Sequence, residues 1–163
     1  VNKWDGMDPE DRSKVKEQVA RRLDFLDYAD KYYISALHGT GLDDLLGAVG
    51  DSHRALFAEL STPRLSRALE AAVEGHAPPA IHGRRIKLRF AHQGGQNPPT
   101  IVIHGNQTQR LSAEYKRYLT HQFRKAFDLY GVPIQLVFKN SDNPYAGRSN
   151  NRGKDRDRSK PRR

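Results

Sequence analysis

The chain opens with VNKWDG, residues 1–6, in which one apolar residue is followed by a run that is mostly polar. This order is typical of a buried strand that ends and releases functional side chains into a loop. A helix pattern follows over residues 8–26, then the β-rich run KYYISA, and then a second helix pattern from residue 42 to about residue 60. This alternation predicts an α/β unit with a parallel sheet. Two strands do not make such a sheet alone, so we expect more strands before Val1.

Local signals set the expected boundaries of these elements. Asp8 is expected to cap the first helix, and Pro9 suits the first helical position. The run Tyr32–Ser35 is predicted to be a strand. Thr40 is expected to cap the second helix. A break at Ser61 then separates this unit from the next one.

A second unit is predicted over residues 62–139, in the order helix, strand, strand, helix, strand. The stretch RRIKLRF alternates between apolar and basic residues, which predicts a half-buried strand with a cationic outer face. The residues expected to face the core are Ile86, Leu88 and Phe90, and those expected to face solvent are Arg85, Lys87 and Arg89. The long helix 112–130 is expected to bury an aromatic stripe and to keep Arg124 away from it. Residues 140–163 hold too few apolar side chains for a core, so we predict a basic, disordered tail.

Charge is distributed unevenly along the 163 residues, although the total is +9. Residues 1–61 hold 8 Lys/Arg against 12 Asp/Glu, residues 62–139 hold 12 against 4, and residues 140–163 hold 8 against 3. An acidic unit followed by two basic ones indicates different partners, and the basic part is suited to a polyanion. The alternative is that these are solvated faces that merely differ in charge.

Composition excludes several classes of site. The chain has no Cys, which rules out disulfides and thiolate metal sites. The seven His residues are scattered without metal-ligand spacing, so we expect no metal site in this chain. No apolar run approaches the roughly 18 residues of a membrane span, so we expect no membrane partner and a cytoplasmic protein.

The run Asn2-Lys3-Trp4-Asp5 fits the pattern N-K-x-D directly after a predicted strand. The Asp carboxylate can accept two hydrogen bonds from guanine, one from N1–H and one from the 2-amino group, whereas adenine lacks this paired donor edge. Such polar pairing discriminates strongly, because an unpaired buried group is costly. The Lys stem can lie over the base and the Asn amide can bond N7, while Trp4 is expected to pack beside the loop.

A second motif, Ser35-Ala36-Leu37, follows the next predicted strand. Both motifs therefore fall at the carboxyl ends of strands in a parallel sheet, where such folds bind ligands. The sequence resembles the bacterial ribosome-assembly GTPase family called Der or EngA, in four stretches: NKWDG, ISALHGTGL, NPPTIVIHGN and RYLTHQFRKAFDLYGVPIQLVFKNSDNPYAG. The resemblance covers essentially residues 1–147. It implies that the chain is the end of a second G-domain followed by a KH-like domain.

The resemblance also implies ligands and partners. The guanine base of GTP or GDP would be bound by the following residues: Asn2, Lys3, Trp4, Asp5, Ser35, Ala36 and Leu37. In that family an Ala backbone N–H bonds guanine O6. The implied partners are the large ribosomal subunit with its rRNA and the first G-domain of the same parent chain, and Mg²⁺ would accompany the nucleotide in the complete protein. The basic residues expected to contact RNA are Arg85, Lys87, Arg89, Arg148, Arg152 and Lys154.

Two departures from the family pattern matter. The sequence contains no G-x-x-x-x-G-K-[ST], so it lacks a phosphate cradle and the hydroxyl that accompanies Mg²⁺. We therefore expect no catalytic residue in this chain and no GTP hydrolysis by it alone, although the parent protein would be a GTPase. No G-x-x-G joins two helices, which departs from RNA-binding KH domains. The alternative function is a non-enzymatic basic RNA-binding or ribosome-binding module that keeps a relic nucleotide loop.

Overall fold

A computed structural model describes residues 1–80 and 85–140 of the chain. The predicted tail, including Arg148, Arg152 and Lys154, lies outside the described residues, apart from Asn140. The described elements are, in chain order, α1 (Pro9–Arg22), a 3₁₀ turn (Asp24–Leu26), α2 (Leu42–Leu56), α3 (Thr62–Gly75), β1 (Leu88–Gly95), β2 (Thr100–Gly105), a second 3₁₀ turn (Thr108–Arg110), α4 (Ala113–Phe127) and β3 (Gln135–Asn140). The fold is therefore mixed α/β.

Helix α1 starts where its capping signal predicts. The Asp8 side chain accepts a hydrogen bond from the backbone nitrogen of Asp11 at 2.9 Å, and Pro9 opens the helix. The acidic residues of the first turn complement the positive end of the helix. None of its residues is buried, so capping and helix propensity contribute more here than packing does.

The predicted cap of α2 is wrong. Gly41, with φ 73°, holds the capping position instead of Thr40, and no side chain caps the helix. A Cβ at Gly41 would also lie 3.1 Å from the carbonyl oxygen of Tyr33. Glycine is therefore favoured here both by the left-handed backbone and by the close approach of the preceding segment. Helix α2 ends at Leu56, earlier than the expected boundary near residue 60.

The structure assigns no strand to Tyr32–Ser35, contrary to the expectation. The segment nevertheless pairs with the opening residues in a parallel sense. The Ile34 N–H donates to the Val1 carbonyl at 2.8 Å, and the Trp4 N–H donates to the Ile34 carbonyl at 3.0 Å. Lys3 has φ 64° and interrupts the regular ladder, so the pairing is too short and irregular to count as a strand.

Residues 62–140 form a three-stranded sheet in the order β1-β2-β3, with helices packed on one face. Strands β1 and β2 are antiparallel, whereas β2 and β3 are parallel and are joined through α4. Helix α3 packs on β1 and on α4. The predicted order helix, strand, strand, helix, strand is the one observed.

The predicted inward position of Phe90 is wrong. The pairing of β1 with β2 shifts register between Leu88 and Phe90. Beyond this irregularity Ala91 is fully buried, while Phe90 is 42% exposed. A bulge adds one residue to a strand, and the alternation of faces is reversed after it.

The core lies between the helices and the sheet. Its largest fully buried side chains include Leu65 and Leu69 of α3, Leu119 and Phe123 of α4, and Ile101 and Ile103 of β2. Ala55 and Leu60, from the residues before α3, join the same cluster. Contacts therefore cross the predicted boundary at residue 61.

Helix α4 holds a further departure from expectation. Arg124 was expected to lie away from the aromatic stripe, but it is only 6% exposed. Its Nη1 donates to the carbonyl oxygens of Leu129 and Val132, at 2.8 and 2.9 Å. These bonds satisfy two carbonyls just beyond the end of the helix, which explains why the charge is buried there.

Among the helices that the structure describes, none has the length and apolar character that a membrane crossing requires.

Candidate functional site

The opening loop and the loop that follows Ile34 lie side by side. The Asn2 side-chain oxygen accepts a hydrogen bond from the backbone nitrogen of Ala36 at 3.0 Å and another from that of Lys3 at 2.7 Å. One amide therefore joins two motifs that are 34 residues apart in sequence. The structure thus brings together the two predicted base-recognition motifs.

Asp5 faces the second loop. Its Oδ2 lies 3.0 Å from Nε2 of His38. A hydrogen bond from the Ser35 side chain lowers the pKa of the Asp5 carboxyl, with the nearby His38 as a smaller contribution. The Asp5 side chain is 35% exposed, so an ionised carboxylate is open to solvent at this position.

Ser35 is buried, and its hydrogen bonds hold the second loop in place. It is 1% exposed, and its backbone N–H donates to the Thr40 carbonyl at 3.0 Å. Its hydroxyl also accepts the backbone N–H of His38 at 3.3 Å. These bonds close a tight turn over residues 35–40, and Leu37 at the tip of this turn is 87% exposed.

Trp4 packs below the opening loop. Its ring centroid lies 4.3 Å from that of Tyr33, and the cations of Arg12 and Lys16 each lie 5.7 Å from the Trp4 ring. Arg12 Nε also donates to the Trp4 carbonyl at 3.2 Å. Helix α1 therefore holds the loop from one side, while Lys3 is exposed with a left-handed backbone.

Sequence reasoning did not single out His38, Thr40 or Arg12 as supports of this site. His38 follows directly after the Ser35-Ala36-Leu37 motif, so its position was a usable signal. Thr40 acts through its backbone carbonyl, and Arg12 acts through a hydrogen bond to a backbone carbonyl. No residue pattern identifies contacts of this kind.

The acceptor and donor groups needed by a guanine base are present. Asp5 supplies carboxylate oxygens, Ala36 supplies a backbone N–H, and Asn2 supplies an amide. All three of these groups already have partners within the chain, since Ala36 donates to Asn2 and Asp5 contacts His38. A base would therefore share or replace these hydrogen bonds.

Two cavities lie elsewhere in the described part of the chain. One of about 730 Å³ lies between α2 and the segment after α4, with Tyr32, Val49 and Tyr130 in its lining. The other, of about 550 Å³, lies between the first 3₁₀ turn and α4. Neither is lined by the residues of the two motifs, which form an open surface site.

The basic residues predicted to contact RNA are partly described. Arg85, Lys87 and Arg89 are all exposed, but only Arg89 belongs to β1. The backbone N–H of Lys87 donates to the side-chain oxygen of Asn106 at 2.6 Å, which fixes the approach to the strand. Within residues 1–80 and 85–140, no group of three or more His, Cys, Asp or Glu side chains is arranged to hold a metal ion.

Comparison with known proteins gives a consistent picture. Residues 59–139 match the family model described as the KH-domain-like, C-terminal domain of EngA bacterial GTPase enzymes. The chain is 59% identical over 146 residues to a protein of Marinobacter nauticus named GTPase Der, covering 90% of this chain and 31% of that protein. Proteins of the same name from Methylococcus capsulatus and Thioalkalivibrio sulfidiphilus are 54% and 53% identical, covering 91% and 92% of this chain and 32% of each relative. The chain thus spans about a third of the length of the curated relatives it matches.

Proposed function

Because this chain belongs to the EngA family of bacterial GTPases, with its KH-like domain at residues 59–139, we propose that residues 1–61 are the C-terminal part of a G-domain. In this proposal the two loops joined by Asn2 bind the guanine base of GTP or GDP. The observation that carries it is the 3.0 Å hydrogen bond between Asn2 and the backbone nitrogen of Ala36. This bond brings a carboxylate, an amide and a backbone donor to one open surface.

Each residue has a role that follows from its chemistry. Asp5 accepts the N1–H and 2-amino donors of guanine, and the N–H of Ala36 donates to the base oxygen. Lys3 covers the base with its stem, Ser35 orients Asp5, and Leu37 contacts the base from its exposed position at the turn. Trp4 supports the loop from below, since it is packed against Tyr33. Adenine would leave the carboxylate unpaired, which makes the site selective for guanine.

Hydrolysis of GTP would need groups that the 163 residues do not contain. The sequence has no G-x-x-x-x-G-K-[ST] to hold the phosphates. Mg²⁺ would be held with the phosphates in the complete GTPase, and its ligands would come from outside this sequence. The residues described here would supply base selection only, because phosphoryl transfer depends on groups positioned around the phosphates.

The test is the substitution Asp5→Asn in the complete GTPase. It replaces one acceptor oxygen with a donor that faces the donors of guanine, so GDP affinity should fall by at least tenfold, about the cost of one unpaired polar group. Xanthosine diphosphate, whose 2-oxo group accepts a hydrogen bond, should bind the variant better than the parent.

The matched control is Asp8→Asn, which removes the same charge three positions away and leaves a good helix cap. It should keep the affinity for both nucleotides. If Asp5→Asn kept the GDP affinity of the parent and gained none for the xanthosine nucleotide, the base-recognition proposal would be wrong.

The second part of the proposal concerns the KH-like domain. We propose that the protein acts in assembly of the large ribosomal subunit in the cytoplasm, that its basic half binds rRNA, and that part of its surface docks on the first G-domain of the same chain. The exposure of Arg85, Lys87 and Arg89 supports this, together with the excess of 12 Lys/Arg over 4 Asp/Glu in residues 62–139. The competing function is a binding module without enzymatic activity, which would show no nucleotide-dependent change in ribosome association.

A further inference from the structure

The sheet face that is turned away from the helices carries a stack of aromatic rings. The rings of Phe90 and His104 lie parallel, with centroids 4.4 Å apart and planes 6° apart. His92 adjoins His104 edge to edge, with ring centroids 5.3 Å apart, planes tilted by 30°, and the two Nε2 atoms at a hydrogen-bond distance of 3.2 Å. Phe90 is 42% exposed, so the stack is open to solvent at one end.

The register of the sheet builds this stack. Phe90 pairs with His104 across β1 and β2, and the bulge before Phe90 turns its ring to this face. Below the rings, a Cβ at Gly94 would lie 2.6 Å from Cγ2 of Val102. Because glycine has no side chain, nothing projects from the sheet at this position beside the stacked rings.

The charges on this face are of one sign. None of the three strands contains an Asp or a Glu. Lys139 pairs with His104 across β2 and β3, and it is exposed, as is Arg89. Burial, His92 and Lys139 together lower the pKa of His104, so its imidazole is neutral near pH 7 and presents an uncharged ring.

We propose that Phe90, His92 and His104 form a stacking platform for unpaired bases of single-stranded RNA, with Lys139 and Arg89 contacting the adjoining phosphates. The proposal rests on the RNA-binding function proposed above and assigns it to a specific surface. Every base has a flat face that can stack on an aromatic ring, and the lack of carboxylates on the strands favours a polyanion over a protein surface of mixed charge.

The test uses the full 163-residue chain and a fluorescein-labelled single-stranded RNA of about ten nucleotides, within the span that one such surface contacts. An abasic oligomer of the same length carries the same phosphates without bases. Phe90→Leu keeps an apolar side chain but removes the ring, and we expect it to weaken RNA binding by about tenfold or more. Binding of the abasic oligomer should stay unchanged.

Two variants complete the design. Phe90→Tyr keeps the ring and should bind RNA as the parent does. Phe25→Leu removes another exposed ring, 71% exposed and outside the sheet, and should also bind normally. The parent should bind the RNA more tightly than the abasic oligomer, and the ring protons of His104 should shift with the RNA alone.

Three outcomes would overturn the platform. If Phe90→Leu bound RNA as tightly as the parent, RNA binding by charge would stand and stacking would be excluded. Equal losses for the RNA and the abasic oligomer would also exclude stacking. A parent chain that bound neither oligomer would remove both the platform and the proposed RNA binding, and the face would then fit a protein partner better.

Discussion

Asn2 and Ala36 are joined by a hydrogen bond of 3.0 Å, in which the Asn2 side-chain oxygen accepts the backbone N–H of Ala36. The same oxygen accepts the N–H of Lys3, whose backbone is left-handed. A single side chain thus stabilises an unfavourable backbone conformation in one loop and the position of the second loop. The proposed base site depends on this geometry before any nucleotide binds.

Replacing Asn2 should loosen the second loop. Asn2→Ala removes the acceptor for Ala36, at a cost of about 1 kcal/mol, which corresponds to amide exchange at Ala36 that is about fivefold faster. Asn2→Asp keeps an acceptor oxygen and should preserve the protection of that amide. The measurement is hydrogen exchange followed by NMR. Equal exchange rates in Asn2→Ala and in the parent would show that the bond does not hold the loop.

The pKa of Asp5 should report on the Ser35 contact. In the folded chain this pKa lies below the ordinary value of 3.8, chiefly because the Ser35 side chain donates to the carboxylate. A lowered folded pKa means that Asp5 contributes stability above about pH 4, and that this contribution is lost as the pH falls through the folded value.

Ser35→Ala should therefore raise the pKa of Asp5, and His38→Ala should raise it less, since the charge of His38 is a smaller cause. The measurement is an NMR titration of the Asp5 carboxyl carbon. Asp8, which caps α1 in all variants, is the internal reference. A larger rise of the Asp5 pKa in His38→Ala than in Ser35→Ala would show that His38, and not Ser35, is the main cause of the lowered value.

The family was reached through a resemblance in four stretches of sequence, two of which contain the short motifs of the proposed base site. Neither N-K-x-D nor Ser35-Ala36-Leu37 is specific alone, but their order and spacing indicated one site, and the resemblance to the EngA family is confirmed. The order of elements in the KH-like domain was also predictable, because Leu65, Leu69, Leu119 and Phe123 repeat at helical spacing and become core residues. The division at residue 61 and the roles of the site residues remain predictions.

The errors share a physical cause. Phe90 was placed inward because strict alternation was assumed, and a bulge at Leu88–Phe90 reversed the faces. Thr40 was preferred over Gly41 because cap rules consider side chains, whereas the decisive feature was a left-handed backbone. Arg124 was placed away from the aromatic stripe of its helix, yet it is buried because it donates to two carbonyls beyond α4. Each error depended on backbone geometry that residue types alone do not define.

Charge reversal should test the basic face. Changing Arg85, Lys87 and Arg89 to Glu should weaken association with large ribosomal subunits. The slope of log K against log salt concentration should also become shallower by roughly 2 to 3, the value for three lost phosphate contacts. The matched control reverses Lys14, Arg21 and Arg22, three exposed cations of α1, and should change association much less. Pelleting across a salt series in the complete protein distinguishes the two sets. Equal losses in both sets would indicate an effect of net charge alone.

Among the charged residues that the structure describes, Arg124 should be the one whose replacement destabilises the fold most. Its guanidinium is buried and donates hydrogen bonds to two backbone carbonyls. It also lies 5.1 Å from the centre of the Tyr28 ring, and the Gly131 N–H donates to the Tyr28 carbonyl at 2.8 Å. The contact therefore connects the segment after α1 with the end of α4. Arg124→Met keeps the apolar stem but leaves the carbonyls of Leu129 and Val132 without this donor, and should lower the free energy of unfolding by about 3 kcal/mol.

Lys125→Met is the control for Arg124→Met, because Lys125 is the exposed neighbour on the same helix and its loss should cost less than about 0.5 kcal/mol. Tyr28→Leu removes the ring but keeps the backbone bond to Gly131, and should cost about 1 kcal/mol, the value of a partly desolvated cation–π contact. Urea denaturation of the three variants gives the comparison. If Arg124→Met were no less stable than Lys125→Met, the carbonyls would have found other partners, and Arg124 would be a tolerated buried charge rather than the group that holds the end of α4 in place.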